Sequence, residues 1–460
     1  MFEKIMIADR GEIAVRIIRT CKRLGIKTTA VHSEADAGSL HVRMADEAVY
    51  IGGRRAHESY PGVDKIIAAA LSAGCQAIHP GYGFLSENHH FAKAVSAAGL
   101  VFIGPSARII DMLGDKISSK ELAVKACVPV IPGHADPLDS VDDALLIAGS
   151  IGYPVLLKPA CGVGGKGLRI VNVPDEMEAA LEESRRETCK YFGSSRVFME
   201  RFIEKSRHLE VQIIADSFGN IIHLGERESS IQRRYQKIIE EAPSPAVSAD
   251  LRRCMGRYAC DLARKAGYVN AGTVEFMMDE KKVLYFLEMS TRLQAGHPVT
   301  EMTAGLDLVE LQFRIAAGER LPLSQDDVTI KGWSMAAHIC AEDPARKFLP
   351  AAGRINGYSE PCGDSIRVDS GVNRGSIIGL HDDSMLATVV CHEKDREAAR
   401  AGLVEALNGC HIEGVVTNIA FANSVLRHPG FVKGNISTSF IEQHFDDGRS
   451  KCESDELHEL

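Results

Sequence analysis

Short apolar segments alternate with amphipathic stretches along the first hundred residues. Lys4–Ala8 has the pattern of a buried strand, and helical spacing follows at Ile13, Ile17, Cys21 and Leu24. The same alternation predicts further strands at 27–31, 48–51, 77–79 and 101–103, and helices at 63–73 and 91–98. Strands separated by helices indicate a parallel sheet with right-handed crossovers. We therefore predict a Rossmann-like layout, without a dinucleotide site, because no G-x-G-x-x-G follows the first strand.

From about residue 131 the pattern favours strand pairs instead. A glycine-rich loop, Gly162–Gly167, separates predicted strands at 155–158 and 168–171, and a helix is predicted at 177–190. This strand, loop, strand order predicts a hairpin rather than a Walker P-loop, which needs a following helix. Segments 197–200, 209–215 and 221–225 alternate like strands of an antiparallel sheet. A helix at 251–266 precedes a second predicted hairpin, 273–278 and 283–288, and the region 331–445 predicts short β segments with one helix near 397–407.

The composition is that of a soluble globular protein. Hydrophobic residues make up 45% of the 460 residues and charged residues 25%. The net charge of -9 argues against a nucleic-acid binder that works by neutralising phosphates. No apolar run approaches the roughly 18 residues of a membrane helix, and no leader pattern opens the chain, so a cytoplasmic protein is expected. The 12 cysteines include no Cys-x-x-Cys pair and are expected to be reduced.

Two groups of residues suggest the binding of phosphate and of its metal ion. Backbone N–H groups of the glycine loop can wrap phosphate oxygens, with Lys158 and Lys166 adding charge, although a plain β-turn is an equal alternative. Glu275 and Glu288 are predicted to face each other across a hairpin, where a cation such as Mg²⁺ would remove their repulsion. Two solvated acids are the alternative, but the apolar strand around Glu288 favours the metal.

Fixed cations and a strand end complete the candidate chemistry. Arg292 follows Glu288 closely, and Lys237 ends the run 232–237, so both could hold an anionic substrate. Arg233 and Arg234 are equally well explained as a solvated charged face. The run 79–88 lies at the end of a predicted strand, where open α/β sheets bind ligands.

Several strings, taken together and in order, resemble one family closely, the biotin carboxylases of the ATP-grasp superfamily. They cover nearly the whole chain and are Ala8–Ala14, His79–Asn88, Gly114–Lys116, Gln232–Lys237, Glu240–Pro243, Glu288–Gln294, His297–Glu301 and Ala341–Pro344. The resemblance implies an α/β fold, namely ATP-grasp with an N-terminal Rossmann-like (pre-ATP-grasp) domain and a C-terminal biotin-carboxylase-type domain. The implied divisions are 1–114, 115–330 with a mobile glycine-loop lid at about 132–203, 331–446, and a polar tail at 447–460.

The resemblance also implies a two-step reaction. ATP activates bicarbonate as carboxyphosphate, which delivers CO₂ to biotin on a separate carrier protein, since the carrier motif Ala-Met-Lys-Met is absent here. The implied ATP-binding residues are Lys116, Lys158, Gly164, Gly165, Glu200, His208 and Gln232. Glu275, Glu288 and Ser290 would hold Mg²⁺ or Mn²⁺; the implied catalytic and substrate-binding residues are Lys237, Arg292, Gln294, His338 and Tyr82. Implied partners are a biotin carboxyl carrier protein, carboxyltransferase subunits of an acetyl-CoA carboxylase-like complex, and a second copy in a homodimer. No nucleic acid or membrane is expected.

The departures from the family pattern fall in the catalytic centre. Gly296 stands where the family has a Glu that deprotonates bicarbonate, and His338 replaces an Arg that stabilises the biotin enolate. A general base is worth roughly 10²–10⁴ in rate and an electrostatic donor about 10²–10³. His297 and His338 are candidate substitutes. Smaller departures lie at Asp9, Cys161, Val163, Tyr235 and Ser290.

Three functions therefore stay open from sequence. The first is a working biotin carboxylase, which the resemblance places slightly ahead. The second is a diverged ATP-grasp ligase that activates another carboxylate as an acyl phosphate, and the third is a non-catalytic nucleotide-binding paralogue. Arg16 and Arg19 match a family dimer surface, but charged residues there are equally expected on a solvent face.

Overall fold

Five parallel strands form the first sheet of the chain, which a computed structural model describes over residues 1–134, 136–162, 165–380, 383–446 and 449–450. Their spatial order is Glu47–Gly52, Lys27–Ser33, Lys4–Ile7, Ala77–His79 and Val101–Phe102. The crossing helices are Gly11–Leu24, Leu40–Met44, Val63–Ser72 and His89–Ala97. Gly25 ends the first helix in the left-handed region at φ 73°, where glycine carries no Cβ penalty. The predicted Rossmann-like alternation is confirmed.

A separate four-stranded antiparallel sheet carries the glycine loop. Its order is Gly133–His134, Val197–Arg201, Val155–Pro159 and Arg169–Val171, and the helices Val141–Ile151 and Met177–Phe192 pack on it. The predicted hairpin is confirmed, because Val155 pairs with Val171 and the loop joins these two strands. We call this unit the lid sheet. Two helices, Ala107–Gly114 and Lys116–Lys125, precede it in the chain.

The largest sheet is antiparallel and has eight strands. Their order is Leu284–Ser290, Asn270–Met278, Arg207–Ala215, Ile221–Arg233, Gln236–Ala242, Trp333–Cys340, Met385–Glu393 and Ile366–Ser370. The helices Ala249–Ala266, His297–Ala304 and Leu308–Ala316 pack around this central sheet. Its hydrogen bonding continues across the predicted boundary at 330/331, since Gln236–Ala242 pairs with Trp333–Cys340.

One predicted strand grouping is wrong. The strand Val197–Arg201 belongs to the lid sheet, whereas Arg207–Ala215 and Ile221–Arg233 pair in the central sheet. Alternation along a segment predicts that it is a strand, but the partner of a strand is chosen by contacts between distant segments. Val197–Arg201 pairs with Val155–Pro159, about forty positions earlier in the chain.

The C-terminal region is also more helical than predicted. The predicted helix is confirmed as Arg396–Gly409, and three further helices pack with it around one core, namely Ile419–Arg427, Pro429–Val432 and Phe440–His444. The short strands pair as Glu342–Asp343 with Leu349–Pro350, Gly353–Arg354 with Ile377–Ile378, Gly357–Ser359 with His411–Glu413, and Phe445–Asp446 with Arg449–Ser450. The last pair shows that Arg449–Ser450, near the start of the expected polar tail, form a strand. Residues 447–448 and 451–460 lie outside the described residues. These helices escape prediction because two of them span only four and five residues.

Among the helices described, none combines the length and the apolar character that crossing a membrane requires.

Candidate active site

Two carboxylates face each other at one edge of the central sheet. Glu275 and Glu288 are register partners on the strands Asn270–Met278 and Leu284–Ser290, as the hairpin pattern predicted. Ser290 Oγ donates to Glu275 Oε1 over 2.6 Å. Lys116, at the start of its helix, forms an ion pair with Glu288. Two carboxylates and a hydroxyl form an all-oxygen donor set, which fits the preference of Mg²⁺.

Opposite charges surround Glu275. The Nε2 atom of His208 lies 2.8 Å from Glu275 Oε2, and both side chains are buried. Burial alone would raise the pKa of Glu275, but the hydrogen bond from His208 and the charge of Lys237 hold that pKa well below its usual range. The same pairing raises the pKa of His208 against the effect of its burial. Glu275 is therefore an ionised carboxylate, as a metal ligand must be.

Gln294 connects this carboxylate to a buried arginine. Its Nε2 donates to Glu275 Oε1 over 2.6 Å, and its Oε1 accepts from Arg227 over 2.8 Å. Arg227 is fully buried and also binds Glu210 at 3.1 Å and the side chains of Gln212, Thr273 and Thr300. Sequence reasoning missed Arg227 and Glu210. The available signal was a run of charged residues in a segment that otherwise alternates like a strand.

The two predicted substrate cations are each held by a carboxylate. Lys237 forms an ion pair with Glu210 and lies 3.9 Å from Glu240. Arg292 Nε donates to Glu87 Oε2 over 2.9 Å. Glu87 belongs to the run 79–88, so the strand end of the first sheet meets the edge of the central sheet at this point. This contact explains how that run reaches the site.

The glycine loop lies against the hairpin that carries Lys237. A Cβ on Gly165 would lie 2.1 Å from the exposed ring of Tyr235, and Gly165 has a φ of 72°, so a larger residue here would need that ring to move and would strain the backbone. Gln232 pairs in register with Lys237 on the same hairpin. Lys158, on the strand before the loop, binds Glu200 at 2.9 Å. Gly164 and Val163 lie outside the described residues.

Glu240 occupies the space beside the two main departures. A Cβ on Gly296 would lie 2.4 Å from Glu240 Oε2, and His338 Nε2 lies 2.6 Å from the same oxygen. The other ring nitrogen of His338 lies 3.1 Å from Thr388 Oγ1. Both Glu240 and His338 are buried. Because both ring nitrogens have partners within the protein, His338 presents no open donor like that of the arginine which the resemblance expects.

His297, the other candidate substitute, faces a different space. Its Nε2 has no hydrogen-bond partner among the described residues, and it lines a small cavity with Tyr82, Glu12 and Thr388. Burial and the charges of Arg16 and Arg367 hold the pKa of His297 well below its ordinary value. A neutral imidazole stabilises an anion poorly. Tyr82 therefore lies at this cavity, and its backbone N–H donates to Asp9 Oδ2 over 3.0 Å.

The cavity residue Glu12 predicts a pH dependence of stability. Burial raises the pKa of Glu12 to about 8, with smaller contributions from the nearby Asp383 and Asp9. The folded protein thus retains a proton that the unfolded chain releases near 4.5, so stability is lost as pH rises from about 4.5 to about 8. Glu12→Gln removes this ionisation, so the variant should be more stable than the parent at pH 8 and similar at pH 4.5. Urea unfolding across this range tests it, with the exposed Glu34→Gln as control; parallel curves for parent and Glu12→Gln would contradict it.

The structure corrects the interpretation of Arg16 as a surface residue. Arg16 is buried and its guanidinium binds Glu301 and Asp307, each at 2.9 Å, within the same chain. Arg19 is partly exposed, with 42% of its side chain accessible, and donates to the backbone of Val368. Of the two arginines, only Arg19 has a side chain available to a second copy.

Three family models match the chain in succession. Residues 1–110 match the biotin carboxylase N-terminal domain, and residues 115–324 match the ATP binding domain of the carbamoyl-phosphate synthase L chain. Residues 336–443 match the biotin carboxylase C-terminal domain. The matched ranges follow the order of the first sheet, the lid and central sheets, and the C-terminal region.

Individual relatives agree with these models. The biotin carboxylase of Nostoc sp. is 47% identical over 96% of this chain and 99% of its own length. The propionyl-CoA carboxylase alpha chain of Ruegeria pomeroyi is 45% identical over 97% of this chain, which spans 69% of that protein. A solved structure of the biotin carboxylase domain of Hydrogenobacter thermophilus 2-oxoglutarate carboxylase, a dimer with MgADP, ADP and bicarbonate, has a TM-score of 0.94 and 44% identity. It covers 96% of this chain and 98% of its own.

Proposed function

Because this chain belongs to the biotin carboxylase family, we propose that it uses ATP and bicarbonate to carboxylate biotin on a separate carrier protein. The observation that carries the proposal is the pair of register-matched carboxylates, Glu275 and Glu288. The charge of Lys237 acts on Glu275, and the glycine loop lies against the separate hairpin that carries Lys237. The family consists of ATP-dependent carboxylating ligases, so the activation of an acid by ATP is common to the two catalytic functions considered for this chain.

Each residue of the site has a distinct task in this proposal. Glu275, Glu288 and Ser290 would hold Mg²⁺, which neutralises phosphate charge when bound. Lys116 and Lys158 would bind the phosphate tail, and the N–H groups of the glycine loop would donate hydrogen bonds to its oxygens. Lys237 and Arg292 would orient bicarbonate so that its oxygen attacks the γ-phosphorus in line, releasing ADP and forming carboxyphosphate.

The partners and the final substrate are also part of the proposal. A biotin carrier protein and carboxyltransferase subunits would receive the carboxyl group, and two copies of this chain would form a homodimer, as in the Hydrogenobacter structure. The sequence resemblance implies an acetyl-CoA carboxylase-like complex as the setting. The relatives also include propionyl-CoA and methylcrotonoyl-CoA carboxylase subunits, so we propose an acyl-CoA carboxylase without naming its acyl group. A cytoplasmic location stays a prediction.

The test is acceptor-dependent ADP release. Purified protein with MgATP and bicarbonate is expected to release ADP faster when free biotin or a biotinylated carrier domain is added. Each component is omitted in turn as a control. Turnover that responds to bicarbonate and not to biotin would reject biotin as the acceptor, and MgATP binding without any turnover would support a non-catalytic paralogue.

A diverged ATP-grasp ligase is the second candidate, and the surroundings of Glu240 favour it. Glu240 closes the space at Gly296, and His338 uses both ring nitrogens within the protein. The site therefore offers neither the base nor the arginine that the family uses for biotin. This ligase would activate another carboxylate as an acyl phosphate. Screening ADP release against a panel of carboxylates with amine acceptors tests it; a response to biotin alone would exclude it.

Replacing Gly296 and His338 by the residues that the family has there, Glu and Arg, is expected to change stability in a coupled way. Gly296→Glu is expected to destabilise the protein by about 1–3 kcal/mol, because the new Cβ overlaps Glu240 and the two carboxylates repel. Adding His338→Arg should recover part of this loss, since a guanidinium can bind both acids. Chemical denaturation of both single variants and the double variant measures the coupling, with Gly296→Ala isolating the steric part.

The same variants separate the two candidate functions. Strictly additive stability effects would contradict the proposed contact between positions 296, 240 and 338. A biotin-dependent ADP release that the double variant gains and the parent lacks would show that the parent has left biotin chemistry. Equal biotin-dependent rates in both proteins would support the first candidate.

A further inference from the structure

A buried group of charges lies where the lid sheet meets the helix Lys116–Lys125. Glu200 of the lid sheet binds two ammonium groups, Lys158 Nζ at its Oε2 and Lys120 Nζ at its Oε1, each at 2.9 Å. The relative exposures of Lys120, Lys158 and Glu200 are 7%, 5% and 3%. The sequence resemblance accounts for Lys158 and Glu200. Nothing in it accounts for Lys120.

Two ammonium groups and one carboxylate leave a surplus of one positive charge. Glu200 stays ionised, because the attraction of both lysines outweighs its burial and lowers its pKa. Each carboxylate oxygen serves one lysine, so neither lysine is fully neutralised. A buried net charge is unfavourable unless a counter-charge joins it, so this group is arranged to receive an anion.

The position of the group identifies the anion. Lys158 lies on the strand Val155–Pro159, directly before the glycine loop. The backbone N–H of Lys116 donates to the carbonyl of Ala160 at 2.7 Å, so the positive end of the helix Lys116–Lys125 lies against the root of that loop. The anion that fits a glycine loop with a surplus lysine beside it is a nucleotide phosphate.

The helix that carries Lys120 also spans the cleft. Lys116 and Lys120 are four residues apart and therefore share one face of this helix. Lys116 binds Glu288 on the central sheet, whereas Lys120 binds Glu200 on the lid sheet. Lys120 thus links the lid to the body of the protein through the carboxylate that also holds Lys158.

We propose that Lys120 is a positioning residue of the nucleotide site. By taking one oxygen of Glu200, it prevents a closed, neutral pair between Glu200 and Lys158, and so keeps Lys158 available to the phosphates of MgATP. The inference rests on the proposed use of MgATP and deepens it. Without Lys120 the remaining pair carries no net charge, and MgATP meets a lysine that is already neutralised.

Charge restoration distinguishes this role from a purely structural one. Lys120→Met is expected to raise the Kd of MgATP about 10-fold or more, as a charge-assisted contact is worth that much in affinity. Lys120→Met combined with Glu200→Gln should recover most of the lost affinity, because Lys158 is then free and the net charge is again one. Lys125→Met is the matched control, since Lys125 lies on the same helix and forms an exposed pair with Glu121.

The experiment is titration calorimetry of MgATP on all four proteins, with thermal unfolding of each nucleotide-free protein. Recovery in the double variant, with the control unchanged, supports the inference. A lower melting temperature for Lys120→Met without a change in Kd overturns it, and so does a double variant that binds no better than Lys120→Met. If the parent itself binds no MgATP, the proposed function fails instead. Should Lys120→Met not fold, the conservative Lys120→Arg takes its place, and the inference then requires a Kd near that of the parent together with weak binding by Lys120→Gln.

Discussion

Glu275→Gln is expected to lower acceptor-dependent ADP release by about 10²–10³-fold, because it removes one of the two charges proposed to hold Mg²⁺ against the phosphates. We choose Glu275 of the pair because three side chains, His208, Ser290 and Gln294, hold its carboxylate in place. The amide keeps the shape and one oxygen, so the packing around the site should change little. The measurement is steady-state ADP release over a range of Mg²⁺ concentrations.

A nearby acid provides the control for this variant. Glu280 lies at the tip of the same hairpin with 70% of its side chain exposed, and Glu280→Gln should leave the rate unchanged. Excess Mg²⁺ should restore part of the activity of Glu275→Gln if the loss is one of metal affinity. A rate within a few-fold of the parent would contradict the proposed metal site.

Arg227→Met is expected to destabilise the protein by about 3–5 kcal/mol, the usual result of removing one partner of a buried ion pair. Arg227 is fully buried, and its loss leaves the buried Glu210 carboxylate without the contact it makes at 3.1 Å. Gln294 and Gln212 lose a partner as well. Urea unfolding gives the free energy directly.

An exposed arginine tests whether burial causes this effect. Arg253 pairs with Asp250 on the surface of the helix Ala249–Ala266, and its side chain is 75% exposed. Arg253→Met should change stability by no more than about 0.5 kcal/mol. Similar losses for both variants would show that the Arg227 network contributes no more than a surface pair.

Local patterns predicted those parts of the site that are close together in sequence. The hairpin pattern predicted that Glu275 and Glu288 lie nearly opposite each other. The register set by the turn between residues 279 and 283 would place Leu287 opposite Glu275, and a one-residue β-bulge next to Phe276 brings Glu288 there instead. The glycine hairpin followed from its turn residues in the same way. The metal, ATP and substrate roles of these residues remain predictions until the variants are measured.

Contacts between distant segments were beyond reach. Glu87 and Arg292 are 205 positions apart, and Glu240 and His338 are 98 positions apart. The sequence shows that position 296 has lost a side chain and that position 338 has changed. It does not show that the Glu240 carboxylate fills the space between them. Lys120 likewise has the appearance of an ordinary helix lysine until the lid sheet places Glu200 beside it.

The sequence by itself determined three things: the order along the chain of the strands and helices of the first sheet, the two hairpins, and the family. These depend on periodicity, turn residues and ordered motifs. The tertiary structure alone decided which strands share a sheet, which carboxylate neutralises each cation and what occupies the space at Gly296. The physical reason is that a buried charge must find its counter-charge in three dimensions, and packing brings together groups whose separation along the chain carries no information about their contact.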